Sequence, residues 1–206
     1  MIGKFQKILD SNKYSIIEKD NSTKIYPVDN NLVIPDQHVN IQKYDSKYFI
    51  FLVSRNEKKQ VAEINVEDID FSIAIAIAIV ICKSNFEQPC QDLAFIRKIR
   101  ELINNNELDN VEKLLKQEIN NDFFSIENHK ENNINLYRNG DTASVYYNKN
   151  YIVKEVKLSR AYVVLYNYVK LLEEFEPIYK ELTNYLRVNK NNDYFELRKY
   201  YVFGGI

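Results

Sequence analysis

Apolar positions along the chain fall into several distinct patterns. Tyr48-Phe49-Ile50-Phe51-Leu52-Val53 is aromatic and β-branched and predicts a strand, with residues 60–64 as its hairpin partner across the polar turn 54–59. Residues 3–20 predict a helix followed by a short extended piece. From Ile73 to Ile79 isoleucine and alanine alternate, and because both faces are apolar the period leaves strand and helix open. Asn65 followed by Asp68, with Glu67 in the first turn, reads as a capping box, and alanine is a poor strand former. Those two features favour a buried helix from Val66 onward.

Residues 91–104 place Leu93, Ile96, Ile99, Leu102 and Ile103 on one face and predict an amphipathic helix. Residues 108–119 predict another, closing a helical hairpin over the turn 104–107. The stretch 120–133 is polar and aperiodic and sets a domain boundary near residue 130. Beyond it come a hairpin, a long helix from Ser159 to about Phe175, a break at Pro177 and a second helical piece. Extended stretches at 185–188 and 194–202 finish the chain. The expected class is α+β: an α/β domain over 1–130 (a hairpin plus helices) with no legible role, then a second domain over 134–206.

Composition narrows the function more than the fold. Of 206 residues 45% are hydrophobic, which supports packed cores and excludes a disordered chain. Lys and Arg number 28 against 29 Asp and Glu, so the basic excess of a nucleic-acid binder is missing and no nucleic-acid partner is expected. Residues 101–136 hold eight acids and three bases, while 137–206 hold eleven bases and eight acids. That asymmetry points to intramolecular or protein-partner complementarity. Cys82 and Cys90 form no CxxC pair and lie far in sequence from His38 and His129, which excludes a zinc ribbon or a disulfide scaffold and leaves no expected metal ligand. Both thiols read as packed and reduced, although Cys90, after Pro89 at a helix entry, stands in a mildly thiolate-favouring place. The two histidines read as surface or loop residues. Residues 1–10 lack the basic-then-apolar pattern of a cleaved leader, and the longest apolar run, Ile73 to Cys82, is about half of the ~20 residues a membrane span needs. The expected location is the cytoplasm, or export as a bacterial effector without a cleaved leader.

Candidate chemistry concentrates near the C-terminus. Gly140-Asp141-Thr142-Ala143-Ser144-Val145-Tyr146 is a small-residue turn entering a strand, and Tyr151-Ile152-Val153-Lys154-Glu155-Val156 is its return strand, with Lys154 among β-branched neighbours. Backbone N–H groups of such a turn can lie over phosphates, and a strand lysine beneath can neutralise them. An ordinary solvent-facing strand lysine fits Lys154 as well. Tyr162, Tyr166 and Tyr168, with Val163, Val164 and Leu165, read as helix core with an amphipathic rim, and second as a partner surface.

The series from 136 to 206 resembles the nucleotide lobe of protein kinases, closest to the minimal kinases that bacterial pathogens inject into host cells. The resemblance implies ATP with Mg²⁺ as ligands, the Gly140–Ser144 turn (Gly140, Asp141, Thr142, Ala143 and Ser144) over the phosphates with Val145 also in the nucleotide site, and Lys154 on the α- and β-phosphates. Glu173, 19 residues beyond Lys154, would be its helix partner, with Glu174 and Glu176 as competitors. It further implies a fourth strand over 183–188 and a fifth over 194–202 running into a hinge at Gly204-Gly205, where backbone of Tyr201, Val202 and Phe203 would meet adenine. The chain departs from the pattern in its single loop glycine and in Lys199 near the gatekeeper position. No His-Arg-Asp or Asp-Phe-Gly follows within these residues, so the catalytic C-lobe is absent from this sequence and no catalytic residue is expected in it. The implied function is a divergent effector-type kinase or a non-catalytic relative, a pseudokinase that binds ATP. The alternative is a non-enzymatic protein-binding module, such as an immunity protein, an inhibitor or a regulatory subunit, that acts by occluding a partner.

Overall fold

The computed structural model describes residues 2–55, 57–65, 71–87, 92–186, 188 and 193–204. In chain order the elements are α1 (Ile2–Phe5), β1 (Tyr14–Lys19), β2 (Ser22–Asp29), β3 (Leu32–Val33), β4 (Gln37–Tyr44), β5 (Lys47–Ser54), β6 (Glu57–Asn65) and α2 (Phe71–Phe86). They continue with α3 (Leu93–Asn104), α4 (Leu108–Glu118), a 3-10 turn at Asn121–Phe123, β7 (Phe124–Ile126), β8 (Ile134–Asn139), β9 (Thr142–Tyr147), β10 (Asn150–Lys157), α5 (Leu158–Tyr185) and α6 (Asp193–Phe203). The class is α+β with mainly antiparallel sheets. Contacts gather the chain into two compact units, one of residues 1–88 with 175–206 and one of residues 89–174. The boundary expected near residue 130 falls inside the second unit, between β7 and β8.

In the first unit the antiparallel sheet runs β1-β2-β4-β5-β6, with β3 on β2. Its hairpins turn on Asp20, Asn30, Asn31 and Asp45, all at φ between +48° and +64°. Asn and Asp tolerate this left-handed region because their short polar side chains can bond locally. The pattern does not predict strands β2 to β4. Their inward positions, Thr23, Ile25, Val39 and Ile41, are buried but too widely interrupted by polar residues to show a run. The helix expected within 3–20 is a single turn: Asp10 accepts from the Asn12 N–H at 2.9 Å, and β1 follows from Tyr14.

The isoleucine–alanine run is helical, and every side chain from Ser72 to Cys82 is buried. A helix apolar all round needs cover on all sides, and α2 has the sheet strands β2, β4 and β5 on one side and α6 on another. Of the expected capping box, Asn65 is the last residue of β6, paired with Lys47, while Glu67 and Asp68 lie outside the described residues, as do Cys90 and Gly205.

Three expectations for the last third are corrected. Pro177 does not end the helix, which runs to Tyr185. Its missing N–H leaves the Glu173 carbonyl without an intrahelical donor, a cost of about 3 kcal/mol in an isolated helix, against which Phe175, Ile178 and Leu182 are buried. The same helix occupies the first part of the expected fourth strand, because Ile178, Leu182 and Leu186 recur at four-residue spacing rather than two. The expected fifth strand is α6. Leu197, Arg198, Tyr201 and Val202 are buried together on one helical face, so Tyr201, Val202 and Phe203 present helical backbone, not an extended hinge.

The second unit opens with the expected helical hairpin. The Asp92 carboxylate accepts from the N–H groups of Ala94 and Phe95 and starts α3. Its sheet runs β10-β9-β8-β7, antiparallel except that β7 lies parallel to β8. Buried Asn135 organises the β7–β8 connection, accepting from the Lys130 N–H at 2.8 Å and donating to the Lys130 and Asn133 carbonyls. The first half of α5 buries Ala161, Tyr162, Leu165, Tyr166, Val169 and Leu172, so Tyr162 and Tyr166 are core residues.

Candidate functional site

Strand β9 alternates strictly, and its register with β8 and β10 separates two faces. Ile134, Leu136, Ala143, Val145 and Tyr147 point inward and are buried. The opposite phase carries Tyr137, Tyr146 and Tyr151, and Tyr146 sits directly across from Tyr151 in the register. The Tyr137 and Tyr146 rings stack at 5.1 Å between centroids and 11° between planes, and Tyr151 meets Tyr146 edge-on at 5.9 Å. His129 stacks on the same ring at 6.1 Å. Tyr151 is 60% exposed. A shallow depression of about 360 Å³ is lined by these three tyrosines with Ser144, Lys149 and Glu155.

Two register shifts in β10, with Glu155 at φ +49°, bend this edge. Glu155 N–H donates to Ser144 Oγ at 3.0 Å across the bulge. Lys154 is exposed, its Nζ 5.7 Å from the Tyr151 ring centroid, so its ammonium borders the tyrosine face.

The residues singled out for a nucleotide site are distributed as follows. Gly140 and Asp141 form the two-residue turn of the β8–β9 hairpin, Gly140 at φ +59° with open space around it. Thr142 Oγ1 donates to the Asn139 carbonyl at 3.0 Å. Ala143 and Val145 face the core. Glu173 lies on α5, where one carboxylate oxygen accepts from the Asn120 N–H at 2.6 Å and the other is 3.1 Å from Lys170 Nζ. Lys170 also donates to the Glu118 carbonyl at 3.1 Å. Among the described residues no ion pair joins Lys154 to Glu173. Tyr201 and Val202 are buried in α6 of the first unit, and Gly204, at φ +64°, ends that helix by donating its N–H to the Tyr200 carbonyl. Glu174 and Glu176 belong to the same α5, and Glu176 accepts from the Tyr194 hydroxyl.

Other chemistry is sparse. Cys82 is fully buried and burial pushes its thiol well above the usual range, which suits packing rather than nucleophilic attack. Among the described residues no group of three His, Cys, Asp or Glu side chains could hold a metal. No helix among them is long and apolar enough to cross a membrane. The tyrosine face escaped the sequence reading because the tyrosines occupy the polar phase of their strands. The available signal was three tyrosines at outward positions in a short meander, a phase usually filled by Lys, Thr or Glu. No family model matches the chain, and neither a curated protein nor a solved structure is similar to it.

Proposed function

We propose that this chain is a non-enzymatic protein-binding module that acts by occluding a partner, as an immunity protein, inhibitor or regulatory subunit does. The observation that carries it is the Tyr137–Tyr146–Tyr151 array, one stacked pair and one edge-on contact, on the second unit's sheet. Rigid tyrosines contribute large amphipathic contact area at small entropic cost, and interface hot spots are enriched in them. The stacking fixes the rings before any partner arrives, which lowers the ordering cost of binding. The flanking Lys149, Lys154 and Glu155 furnish a polar rim.

The test is co-purification from the native cell with Tyr137→Ala/Tyr146→Ala as the comparison. The expected result is a stoichiometric complex on size exclusion that the double variant loses while its circular dichroism is unchanged. A chain that runs alone, or a complex indifferent to the tyrosines, sinks the reading.

One observation favours a second reading, the kinase-like lobe: three antiparallel strands, β8 to β10, lead directly into the long α5. In that reading Lys154 and the Gly140 turn meet ATP and Mg²⁺, with Glu173 released from Asn120 to join them. Thermal unfolding with Mg-ATP decides it. Ligand at 100 times its Kd adds about 2.7 kcal/mol to stability, and Lys154→Ala would abolish the shift. No shift with the wild-type chain at millimolar Mg-ATP refutes it.

A further inference from the structure

The outward face of the first unit's sheet has a composition unlike the rest of the chain. The register brings Ile17, Lys19, Lys24, Tyr26 and His38 onto one surface with Tyr44, Lys47, Phe49, Phe51 and Lys58. Among the described strand residues of that face Glu63, opposite Phe49, is the one acid, and it is paired with Lys47 at 2.5 Å; Asp20 and Lys43, which line the groove beside it, cancel in charge. Four lysines against one glutamate leave the face at +3, so the remainder of a chain of net charge −1 carries −4. The cations are therefore segregated rather than spread. The apolar members are not shielded either: Ile17 is 51% exposed and Tyr44 58% exposed. A shallow groove of about 420 Å³ runs between them along Lys19, Lys24 and Tyr26.

A cationic aromatic sheet face suits a polyanion, and two kinds compete. Single-stranded nucleic acid would stack bases on open ring faces. Here several of the rings are already engaged. Phe49 and Phe51 lie near-parallel at 6.4 Å, Lys58 Nζ sits 3.8 Å over Phe51, and Tyr26 packs on His38 at 4.8 Å. A base that stacked on Phe51 would have to displace Lys58 from that ring, whereas a carboxylate pairs with the ammonium where it sits.

We infer that this sheet face docks an acidic protein surface, one that presents several Asp or Glu side chains around an apolar centre. The lysines steer and register the acidic partner, and Ile17 with Tyr44 supplies the apolar contact. His38, held below its usual pKa by burial and then by Lys24 and Lys58, lies among the cations and reports their neutralisation. The surface adds a second contact to the binding reading above and does not depend on the tyrosine face.

The experiment is fluorescence anisotropy on the full chain with a labelled 16-residue peptide of Asp and Glu carrying three leucines, and in parallel with a 16-nucleotide oligo(dT). Peptide binding is expected to weaken at least tenfold between 50 and 300 mM salt and at least tenfold in Lys24→Glu/Lys58→Glu, with the milder Lys24→Gln/Lys58→Gln in between. His38 imidazole resonances should move on binding and its pKa rise. Tyr146→Ala should leave the affinity unchanged, which keeps the two surfaces separable. Absence of peptide binding, equal binding by the charge-reversed variant, or an unmoved His38 overturns the inference. Tighter binding of oligo(dT) than of peptide overturns it in favour of nucleic acid.

Discussion

Substituting Glu173 with alanine tests whether that carboxylate is a structural tie or a free partner for a distant lysine. One of its oxygens accepts from the Asn120 N–H, at the entry to the 3-10 turn after α4, and the other pairs with Lys170, which itself reaches the Glu118 carbonyl. A hydrogen bond to a charged acceptor contributes about 1.5–3 kcal/mol when sheltered. The Glu173 side chain retains 26% exposure and the Asn120 N–H can recruit water, so the expected loss is the low end, about 1–1.5 kcal/mol. At about 2–4 °C per kcal/mol for a chain of this length, Tm should fall by roughly 2–6 °C. Glu173→Gln keeps an acceptor for Asn120 and should recover about half of that loss. The chain has no tryptophan and sixteen tyrosines, so urea unfolding is best followed by far-UV circular dichroism with tyrosine emission as the second probe. A double-mutant cycle with Lys170→Met should return a coupling of about 0.5 kcal/mol or more. If Glu173→Ala unfolds within about 0.3 kcal/mol of the wild type, an amount below the spread of such comparisons, the tie contributes nothing and the reasoning fails.

Further outcomes are expected elsewhere. Ile75→Ala, within the buried stretch Ser72–Cys82 of α2, should lose about 2–5 kcal/mol by urea titration, while Leu93→Ala, 60% exposed, should stay within about 0.5 kcal/mol. Burial raises the hydroxyl pKa of Tyr162 and of Tyr194 to about 12, and that of Tyr14 further. Since the unfolded chain ionises these groups first, their contribution is whole below about pH 10 and fades as pH rises toward 12, so equilibrium stability should drop steeply across that window. His38 has the opposite sign. Its folded pKa is depressed, so its contribution is present above about 6.5 and is lost as pH falls through the folded value; Lys24→Gln should move the imidazole titration upward in NMR. Gly140→Ala forces a side chain to φ +59° in open space and should cost about 1 kcal/mol without altering the tyrosine face, as read by circular dichroism and melting.

Local pattern sufficed where one physical signal dominated. The β5–β6 hairpin, the α3–α4 pair and the β9–β10 hairpin each have a pattern and a turn in agreement. For Ile73–Ile79 the period was uninformative, and the outcome rested on cover from both the sheet and α6, which no window of sequence contains. The stretch 194–202 misled because tyrosine, phenylalanine and valine favour strands, whereas the burial of Leu197, Arg198, Tyr201 and Val202 is helical. Lys154 and Glu173 are both in elements of the expected type, a strand and a helix, but their side-chain partners are set by β10's bulges and by the α4 terminus. The tyrosine and lysine faces became visible only when strand register put distant outward positions side by side.

The first unit takes strands and α2 from the beginning of the chain but needs α6 from the end. During synthesis α2 therefore emerges with its isoleucine-rich surface only half covered, and α6 arrives more than a hundred residues later. At about 5–20 residues per second that interval lasts roughly 6–24 s. Nascent chains should consequently bind chaperones that hold apolar helices. Ribosome-arrested chains ending before α6 should be protease-sensitive in α2, while residues 89–174 can complete their own contacts beforehand.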